Sequence, residues 1–465
     1  MNFTQAIPDV RSPVTTILAS ALLGGIVFAA APADGATARM LAITVFCIVL
    51  WIFTPIPPSY TGIIGIALIG VTFPMEIALG GFHSPATWLI GFGLLMGEAT
   101  RRSGLAAQAG HWITARSVPG HVRSDPVRTY RRLLLALGLG AYALALFIPS
   151  ALVRVLLLAP VLKEAGTLFD SRRARIGLFL GPLFATFYGS VGILTADLPN
   201  IIITGISSSI GDHPVSWTEW IVHMFPIMGI TRVLVVIGIV YVLYRPEPTS
   251  TVQPPDLEGT AVDGRHLRML AFLFVGTAVW MTDFVHGLHP VVGALVVVIL
   301  AFLPGVGIVN FEEAVSDVDY SIVFFVASVL AIGEGLAYTG FSENAANYLL
   351  EWIPHDAPLA VILLFIFSAT LLLALLMEGL AVASVLTPVV IPYAEAAGLP
   401  LTPVLMAEAM ALGTYFFPYQ SAVLITILAE DVVEMGELVR TTVVCSVATI
   451  VLLVPLQFAY FTLLY

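Results

Sequence analysis

The sequence predicts an all-α polytopic membrane protein built from two inverted repeats, each with a re-entrant hairpin and a broken helix. Three observations predict this class. Hydrophobic residues make up 58% of the 465 residues. Charged residues make up only 11%, less than half of their usual share in soluble domains, and the mean hydropathy is +0.98. Finally, the second half of the chain repeats the order of apolar runs and helix breakers in the first half.

The N-terminal segment, 1–38, contains an apolar run at about 15–31 that predicts an extra transmembrane helix 1. The Ala-Pro-Ala that follows is similar to a signal-peptidase site, so removal of helix 1 stays open as an alternative. Runs at about 39–54 and 60–76 predict helices 2 and 3, joined by a proline-rich turn. A run at about 86–102 predicts helix 4, and an amphipathic segment follows to about 116.

Two corresponding stretches, 145–165 and 373–393, contain apolar arms that are too short to cross a bilayer singly. Small residues separate the arms, and a proline follows each centre, at Pro160 and Pro388. Irregular backbone at membrane depth is tolerated where protein or a water-filled cavity satisfies its polar groups. Each stretch therefore predicts a re-entrant hairpin beside a solute site.

Each repeat also contains a helix that glycine, proline and polar residues interrupt. Helix 5 breaks at 192–200 and helix 10 at 413–420, and both breaks leave backbone carbonyls free to bind an ion or a solute. Helix 6 is predicted at about 226–244. The Pro-, Thr-, Asp- and Gly-rich stretch 245–265 predicts a cytoplasmic linker, so the first repeat is 39–244 and the second 266–465.

Further matches between the halves support the repeat. The segment from Trp51 to Gly62 returns from Trp280 to Gly293, and the corner at Ser103-Gly104-Leu105 returns at Thr339-Gly340-Phe341. An odd number of crossings separates equivalent elements, so the repeats are predicted to be inverted.

Basic residues predict the orientation in the membrane. Seven lie between 101 and 132, further groups follow at 163–175 and 245–268, and only Arg440 remains between 269 and 465. The positive-inside rule places these groups in the cytoplasm. We therefore expect a multi-pass protein of the plasma membrane with a cytoplasmic N-terminus, a first hairpin that opens inward and a second that opens outward.

These features together resemble the divalent anion:sodium symporter family of the ion transporter superfamily. The first tip, Pro149-Ser150-Ala151-Leu152, is similar to the family's Ser-Asn-Thr tip, and Pro199-Asn200 is similar to its Gly-Thr-Pro-Pro-Asn break. The resemblance covers about 40–460 and extends to Trp51 and its proline-rich turn. It implies about 11 transmembrane helices and a homodimer in which a mobile domain carries solute past a fixed scaffold.

The resemblance implies a secondary active transporter of a small anion such as a dicarboxylate or sulfate. An elevator-type mechanism, cation-coupled or exchanging, is expected, with Na⁺ or H⁺ as the coupling ion and no other cofactor. The partners are the anionic solute, the lipid bilayer and a second subunit, and no nucleic acid is expected. Carried over to this chain, the substrate-binding positions are Ser150, Ala151, Leu152, Thr195, Asn200, Gly379, Leu380, Thr414 and Gln420. The ion-binding or coupling positions are Ser150, Gly192, Asp197, Glu378 and Arg154.

This chain departs from the family at both hairpin tips. Ala151 and Leu152 replace the first tip's Asn and Thr, and Glu378-Gly379-Leu380 replaces the second tip's Ser-Asn-Thr. A carboxylate at the bilayer midplane requires a proton, a partner or a cation. Two hypotheses follow: Glu378 pairs with Arg154, or protonation of Glu378 couples transport to the proton gradient. A third alternative stays open, in which Glu378 faces a water-filled vestibule and has no role in coupling.

Several polar residues keep a structural alternative. Ser150, Asn200, Thr414 and Gln420 could bind solute or shape the hairpin and the breaks through local hydrogen bonds. Glu408 could carry a proton or lie near the start of helix 10 at the outer interface. Arg232 lies inside helix 6, where its charge needs a partner or a side chain that reaches the interface.

Other function classes are less consistent with the sequence. An intramembrane enzyme would need a constellation such as His-Glu-x-x-His or facing aspartates, and the sequence contains neither, so no catalytic or metal site is predicted. A sodium/proton antiporter-like protein or a metalloid exporter of the same superfamily stays the alternative function.

Overall fold

The computed structural model describes residues 13–31, 34–53, 56–118, 124–211, 213–254, 263–352 and 357–465. Six helical stretches in this part of the chain are long and apolar enough to cross a membrane. They are Gly35–Phe53, Arg172–Gly192, Trp217–Tyr244, Ser321–Tyr338, Gly379–Ala396 and Met435–Leu464. The predicted all-α polytopic membrane fold is confirmed. Arg11 and most of the second half of the predicted linker lie outside the described residues.

The helices of the N-terminal half include short interrupted pieces as well as full spans. They are α1 (Pro13–Ala30), α2 (Gly35–Phe53), α3 (Pro58–Thr72), α4 (Met75–His83), α5 (Pro85–Ser103), α6 (Leu105–Ser117), α7 (Pro126–Ala143), α8 (Ala151–Thr167), α9 (Arg172–Tyr188), α10 (Leu198–Ile210), α11 (Trp217–Met224) and α12 (Arg232–Tyr244). The predicted helix 6 begins earlier than expected, because Ser216 caps α11 by accepting from the Glu219 amide and a π-helical segment, Phe225–Thr231, joins α11 to α12.

The C-terminal half follows the same order. Its helices are α13 (Gly264–Met281), α14 (Asp283–His286), α15 (Val291–Phe302), α16 (Phe311–Asp317), α17 (Ser321–Tyr338), α18 (Phe341–Trp352), α19 (Leu359–Ala374), α20 (Gly379–Ala396), α21 (Leu401–Leu412), α22 (Ala422–Ala429), α23 (Met435–Ala448) and α24 (Val454–Leu464). A π-helical segment, Thr449–Leu453, joins α23 to α24, which matches the π-helical segment of the first half.

Helical hairpins and helix breaks are found at both places where the sequence predicts them, but the incoming arms of the hairpins, α7 and α19, begin before the predicted stretches 145–165 and 373–393. The first hairpin is α7 and α8 around 144–150, and the second is α19 and α20 around 375–378. The first break separates α9 from α10, and the second separates α21 from α22. We call the two interrupted stretches, 189–197 and 413–421, the first break and the second break.

Local details explain the sequence matches between the halves. Gly104 and Gly340 both turn the chain with positive φ, 74° and 73°, which glycine adopts without strain. The indole N–H of Trp51 donates to the Pro58 carbonyl at 3.3 Å, and that of Trp280 donates to the Pro290 carbonyl at 2.6 Å. The matched residues therefore hold equivalent corners and turns.

The chain forms two compact units, each made of residues that mainly contact one another. The first unit is Met1–Trp88, Ile202–Pro214 and Asp319–Glu408, and the second is Leu89–Ile201, Val215–Val318 and Ala409–Tyr465. These units do not test the predicted division of the chain into two repeats joined by a linker at 245–265, which stays a prediction.

The first unit has a core that joins α2, α3, α4 and α17. Its buried residues are Met40, Ile43, Cys47, Ile69, Ile77, Ala78, Ala331, Ile332 and Leu336. Gly81 permits α4 to approach α17 closely, because a Cβ there would lie 1.9 Å from the Ala327 carbonyl oxygen. The second hairpin belongs to this unit.

The second unit contains the first hairpin and both breaks. At one end of it, the turn between α8 and α9 meets the turn between α22 and α23. Lys163 pairs there with Glu430 at 2.6 Å, and Arg172 pairs with Glu434 at 2.9 Å. The basic turn of the first repeat therefore lies beside an acidic turn of the second.

Candidate functional site

The first hairpin tip begins α8 with a cap. Ser150 is half-buried, and its hydroxyl accepts from the Val153 amide at 3.3 Å. Ala151 is buried at the first position of α8, and Leu152 is half-buried. This geometry fits the capping alternative for Ser150 and directs the first amides of α8 toward the tip.

Arg154 lies one turn into α8 and is completely buried. Its Nη1 donates to the Ile148 carbonyl at 2.5 Å, and its Nη2 donates to the Ala196 carbonyl at 3.1 Å and the Thr186 carbonyl at 3.2 Å. Its Nε donates to the Thr186 hydroxyl at 2.8 Å. The guanidinium thus joins the hairpin tip, the carbonyl end of α9 and the first break.

Asn200 stabilises the first break from the start of α10. Its Nδ2 donates to the carbonyls of Ser190, Val191 and Ile193 at 3.4, 3.3 and 3.1 Å. The Thr195 hydroxyl accepts from the Trp217 indole at 3.2 Å. Both polar side chains are fully buried, so they hold the unwound backbone in this conformation.

Gly192 permits close contact between the first break and the π-helical segment of the first half. A Cβ at Gly192 would lie 2.5 Å from the Cα of Gly229. A side chain would therefore separate the two backbones. This packing explains the glycine without a bound ion.

The second break is held by its own side chains. The Thr414 hydroxyl donates to the Met410 carbonyl at 2.8 Å, which closes the last turn of α21. The Gln420 Oε1 accepts from the amides of Phe416 and Phe417 at 2.7 and 2.9 Å. Thr414 and Gln420 are buried, whereas Phe417 is 40% and Tyr419 57% exposed, and their rings stack at 5.8 Å.

The two breaks meet in the second unit. The Tyr188 hydroxyl donates to the Tyr415 carbonyl at 3.2 Å, and the rings of Phe187 and Tyr415 stack at 4.8 Å. A Cβ at Gly413 would lie 2.1 Å from the Val191 side chain. The two interrupted helices therefore contact each other at their breaks, which is the arrangement of the binding residues in inverted-repeat transporters.

Arg232 is buried between these elements. Its Nη2 donates to the Gly413 carbonyl at 2.7 Å, and its guanidinium lies 5.0 Å from the centre of the Tyr188 ring. Its side chain is completely buried, so the expectation that it could reach the membrane interface is wrong. The Gly413 carbonyl directly follows the last residue of α21. The negative end of the helix dipole stabilises a cation at this position.

Asp197 adds a carboxylate to the same region. It is buried, and it interacts electrostatically with both Arg154 and Arg232. Two guanidinium groups and one carboxylate leave one positive charge in excess when Asp197 is ionised. A buried excess charge is costly without a counter-ion, so this site favours an anion.

The second hairpin tip lies in the first unit. Glu378 is half-buried and caps α20, because its Oε2 accepts from the Leu380 amide at 2.9 Å. Gly379 and Leu380 follow as buried residues. The proposed pairing of Glu378 with Arg154 stays a prediction.

The interfacial alternative is also wrong for Glu408. It is the eighth residue of the 12-residue helix α21 and is completely buried. The Thr387 hydroxyl donates to its Oε1 at 2.8 Å. The carboxyl therefore lies inside the packed helices and not at a helix start beside water.

Comparison with known proteins identifies the family. The model of the citrate transporter family matches residues 48–413. The chain belongs to the citrate transporter family. Its predicted place among the relatives of divalent anion:sodium symporters in the ion transporter superfamily is thus confirmed.

Individual relatives agree with this assignment. The chain is 25% identical over 411 residues to the L-tartrate/succinate antiporters of Escherichia coli strain K12 and Shigella dysenteriae serotype 1, with 79% of this chain and 81% of each relative covered. The YdaH transporter of Alcanivorax borkumensis has the same fold, with a TM-score of 0.57, 15% identity and 97% and 98% of the two chains covered. Citrate transporter family members and these relatives are transporters, in line with the expectation that the chain is not an enzyme.

The sequence predicts the two breaks but not the side chains that bind their carbonyls. It predicts Arg154 as a coupling residue and as a partner of Glu378, whereas the observed partners of Arg154 include three backbone carbonyls of the second unit. It predicts no specific role for Arg232. The available signal was its isolation: a lone arginine in an apolar helix requires acceptors inside the protein.

Proposed function

We propose that this chain is a secondary active transporter of a small carboxylate anion that works without sodium. The observation that carries the proposal is the pair of buried guanidinium groups at the carbonyl ends of α9 and α21. Arg154 donates to the Thr186 carbonyl and Arg232 to the Gly413 carbonyl. The relatives named as L-tartrate/succinate antiporters support carboxylates as the substrate class.

The absence of a sodium requirement follows from the chemistry of broken helices. In inverted-repeat transporters, unwound carbonyls and the carbonyl ends of half-helices bind the coupling Na⁺, whereas amide ends bind anionic substrate groups. Here a fixed guanidinium group donates a hydrogen bond to such a carbonyl in each repeat. The excess positive charge remains for the substrate carboxylate, and the amides of the first α8 turn lie beside it.

We further propose the elevator motion, the homodimer and the cytoplasmic N-terminus. The elevator and the dimer rest on the family resemblance, and the orientation rests on the arginine distribution. A cysteine introduced at 33–36 should react with a membrane-impermeant reagent from outside, and one at 250–260 should not. The opposite labelling pattern would contradict the orientation.

The substrate class is tested by counterflow into proteoliposomes that contain the purified chain. Vesicles loaded with unlabelled succinate, L-tartrate or citrate should accumulate the radiolabelled acid, and vesicles loaded with sulfate or arsenite should not. Accumulation driven by sulfate alone would indicate that the substrate is an inorganic anion. Export of arsenite or exchange of Na⁺ for H⁺ without any organic acid would favour the alternative functions of the superfamily.

A further inference from the structure

Glu408 is a buried carboxyl that the anion site described above does not use. It lies in α21, five residues before the second break at Gly413, which is about one and a half helical turns. Its Oε1 accepts from Thr387 of α20, the outgoing arm of the second hairpin. Its Oε2 is buried and has no hydrogen-bond partner among the described residues.

Among the described residues of the first unit, no arginine or lysine pairs with Glu408. Arg39 is the sole arginine or lysine among the described residues of the first unit, and it lies over the Phe73 ring at 5.9 Å. The helices packed against α20 are α17, α18 and α19, and His213 contacts Thr402 of α21. The described acidic, histidine and buried tyrosine groups on these elements and on α20 are Glu334, Glu343, Glu378, Glu395, His213 and Tyr393. In the described residues, Thr387 is the hydrogen-bond partner of Glu408, and none of these six groups pairs with it.

This geometry fits a neutral carboxyl better than a carboxylate. A buried carboxylate normally accepts several hydrogen bonds or pairs with a cation, because its desolvation costs far more than that of the neutral acid. Glu408 has one donor for two oxygens. A proton on Oε2 removes the charge, so the oxygen without a partner carries only the smaller desolvation cost of a neutral acid.

We propose that Glu408 is the proton-binding site of this carrier and that the loaded carrier crosses the membrane with Glu408 protonated. The Oε2 takes one proton from water on the side where the anion binds and releases it to water on the other side. The carboxyl connects the outgoing arm of the second hairpin to the helix that ends at the second break, so its charge affects both of these elements. This inference rests on the proposed carboxylate transport but adds the coupling ion and the residue that holds it.

The proton site is tested first without transport. Infrared difference spectra of the purified full-length chain, recorded across a pH titration, should contain a band from a protonated carboxyl that Glu408→Gln removes. Glu395→Gln is the matched control, because Glu395 lies on α20 and is exposed, and it should keep the band. An identical carboxyl band in the wild-type chain and in Glu408→Gln would overturn the proposal, whatever the substrate proves to be.

Coupling is tested in proteoliposomes with radiolabelled succinate, L-tartrate and citrate. Acidifying the outside relative to the inside should raise the initial uptake of the transported acid several-fold in the wild-type chain and in Glu395→Gln. In Glu408→Gln the stimulation should be lost. Stimulation that survives in Glu408→Gln, with folding verified by size-exclusion chromatography, would overturn the proposal.

The position of Thr387 gives a second, milder variant. Thr387→Val removes the donor to Oε1, so the pH at which uptake is half-stimulated should shift, while stimulation remains. An unchanged pH profile in this variant would contradict the assigned geometry. If the Glu408-dependent band is present but none of the three acids is transported, the proton site stands and the proposed carboxylate substrate class fails.

Discussion

The two breaks have the same place in their repeats but are closed to different degrees. The first break is completely buried, and side chains from α8 and α10 bind its carbonyls. The second break is held by Gln420 and Arg232, yet it leaves the rings of Phe417 and Tyr419 exposed. The comparison indicates that the first break is a fixed frame with a built-in cation, whereas the second presents a surface.

The difference follows from which side chains each break contains. Asn200 places one donor group on three carbonyls of the first break. Gln420 instead offers an acceptor to two amides of the second break. The first repeat therefore uses its amide donors to hold carbonyls, and the second uses its amide oxygen to hold N–H groups.

Removing the Arg154 guanidinium should have the largest effect. Arg154→Met leaves the carbonyls of Ile148, Thr186 and Ala196 without this donor, and each unpaired buried group costs about 1–3 kcal/mol. We expect a lower thermal unfolding temperature in detergent and loss of counterflow.

Arg172→Met is the control for this variant, because Arg172 pairs with Glu434 and Glu437 at an exposed end of the second unit. Exposed pairs contribute about 0–1 kcal/mol. Equal unfolding temperatures for the two variants would mean that Arg154 does not hold the first break.

Asn200→Ala should come next. The substitution removes one donor group shared by three carbonyls, so the free energy of unfolding should fall by about 1–3 kcal/mol. Counterflow should fall at least tenfold. Asn344→Ala, at an exposed position of α18, should change neither. Normal transport in both Asn200→Ala and Gln420→Ala would place the anion site elsewhere.

Arg232→Lys should have an intermediate effect. Lysine keeps the positive charge at the end of α21, but it cannot reproduce the planar guanidinium over Tyr188. We expect a raised KM for the transported acid with counterflow still measurable, whereas Arg232→Gln should lose more because it also loses the charge. A variant with glutamine that binds substrate as tightly as the lysine variant would show that the charge is not needed.

Tyr419→Ala should have the smallest effect on stability. The residue is 57% exposed, and surface substitutions usually change the free energy of unfolding by about 0.5 kcal/mol or less. Thermal unfolding of the purified variant measures this directly. A decrease as large as that of Asn200→Ala would mean that the second break is as closed as the first.

The sequence predicted the architecture well because hairpins and breaks leave local signals. Proline and glycine at 192–200 and 413–420 interrupt apolar helices wherever they fold, and the corner glycines have positive φ in both repeats. The partners of Arg154, Arg232 and Glu408 could not be predicted in the same way. Those contacts join residues that are far apart in the chain, such as Arg232 and Gly413, and depend on side-chain packing that no local pattern encodes.

We propose that fixed guanidinium groups donate to the carbonyls where a coupling Na⁺ would otherwise bind. The most direct test is counterflow of the transported acid into proteoliposomes prepared with either Na⁺ or choline as the cation, at equal pH on both sides. We expect equal initial rates of uptake for the wild-type chain in the two media. A strict requirement for Na⁺ would contradict it.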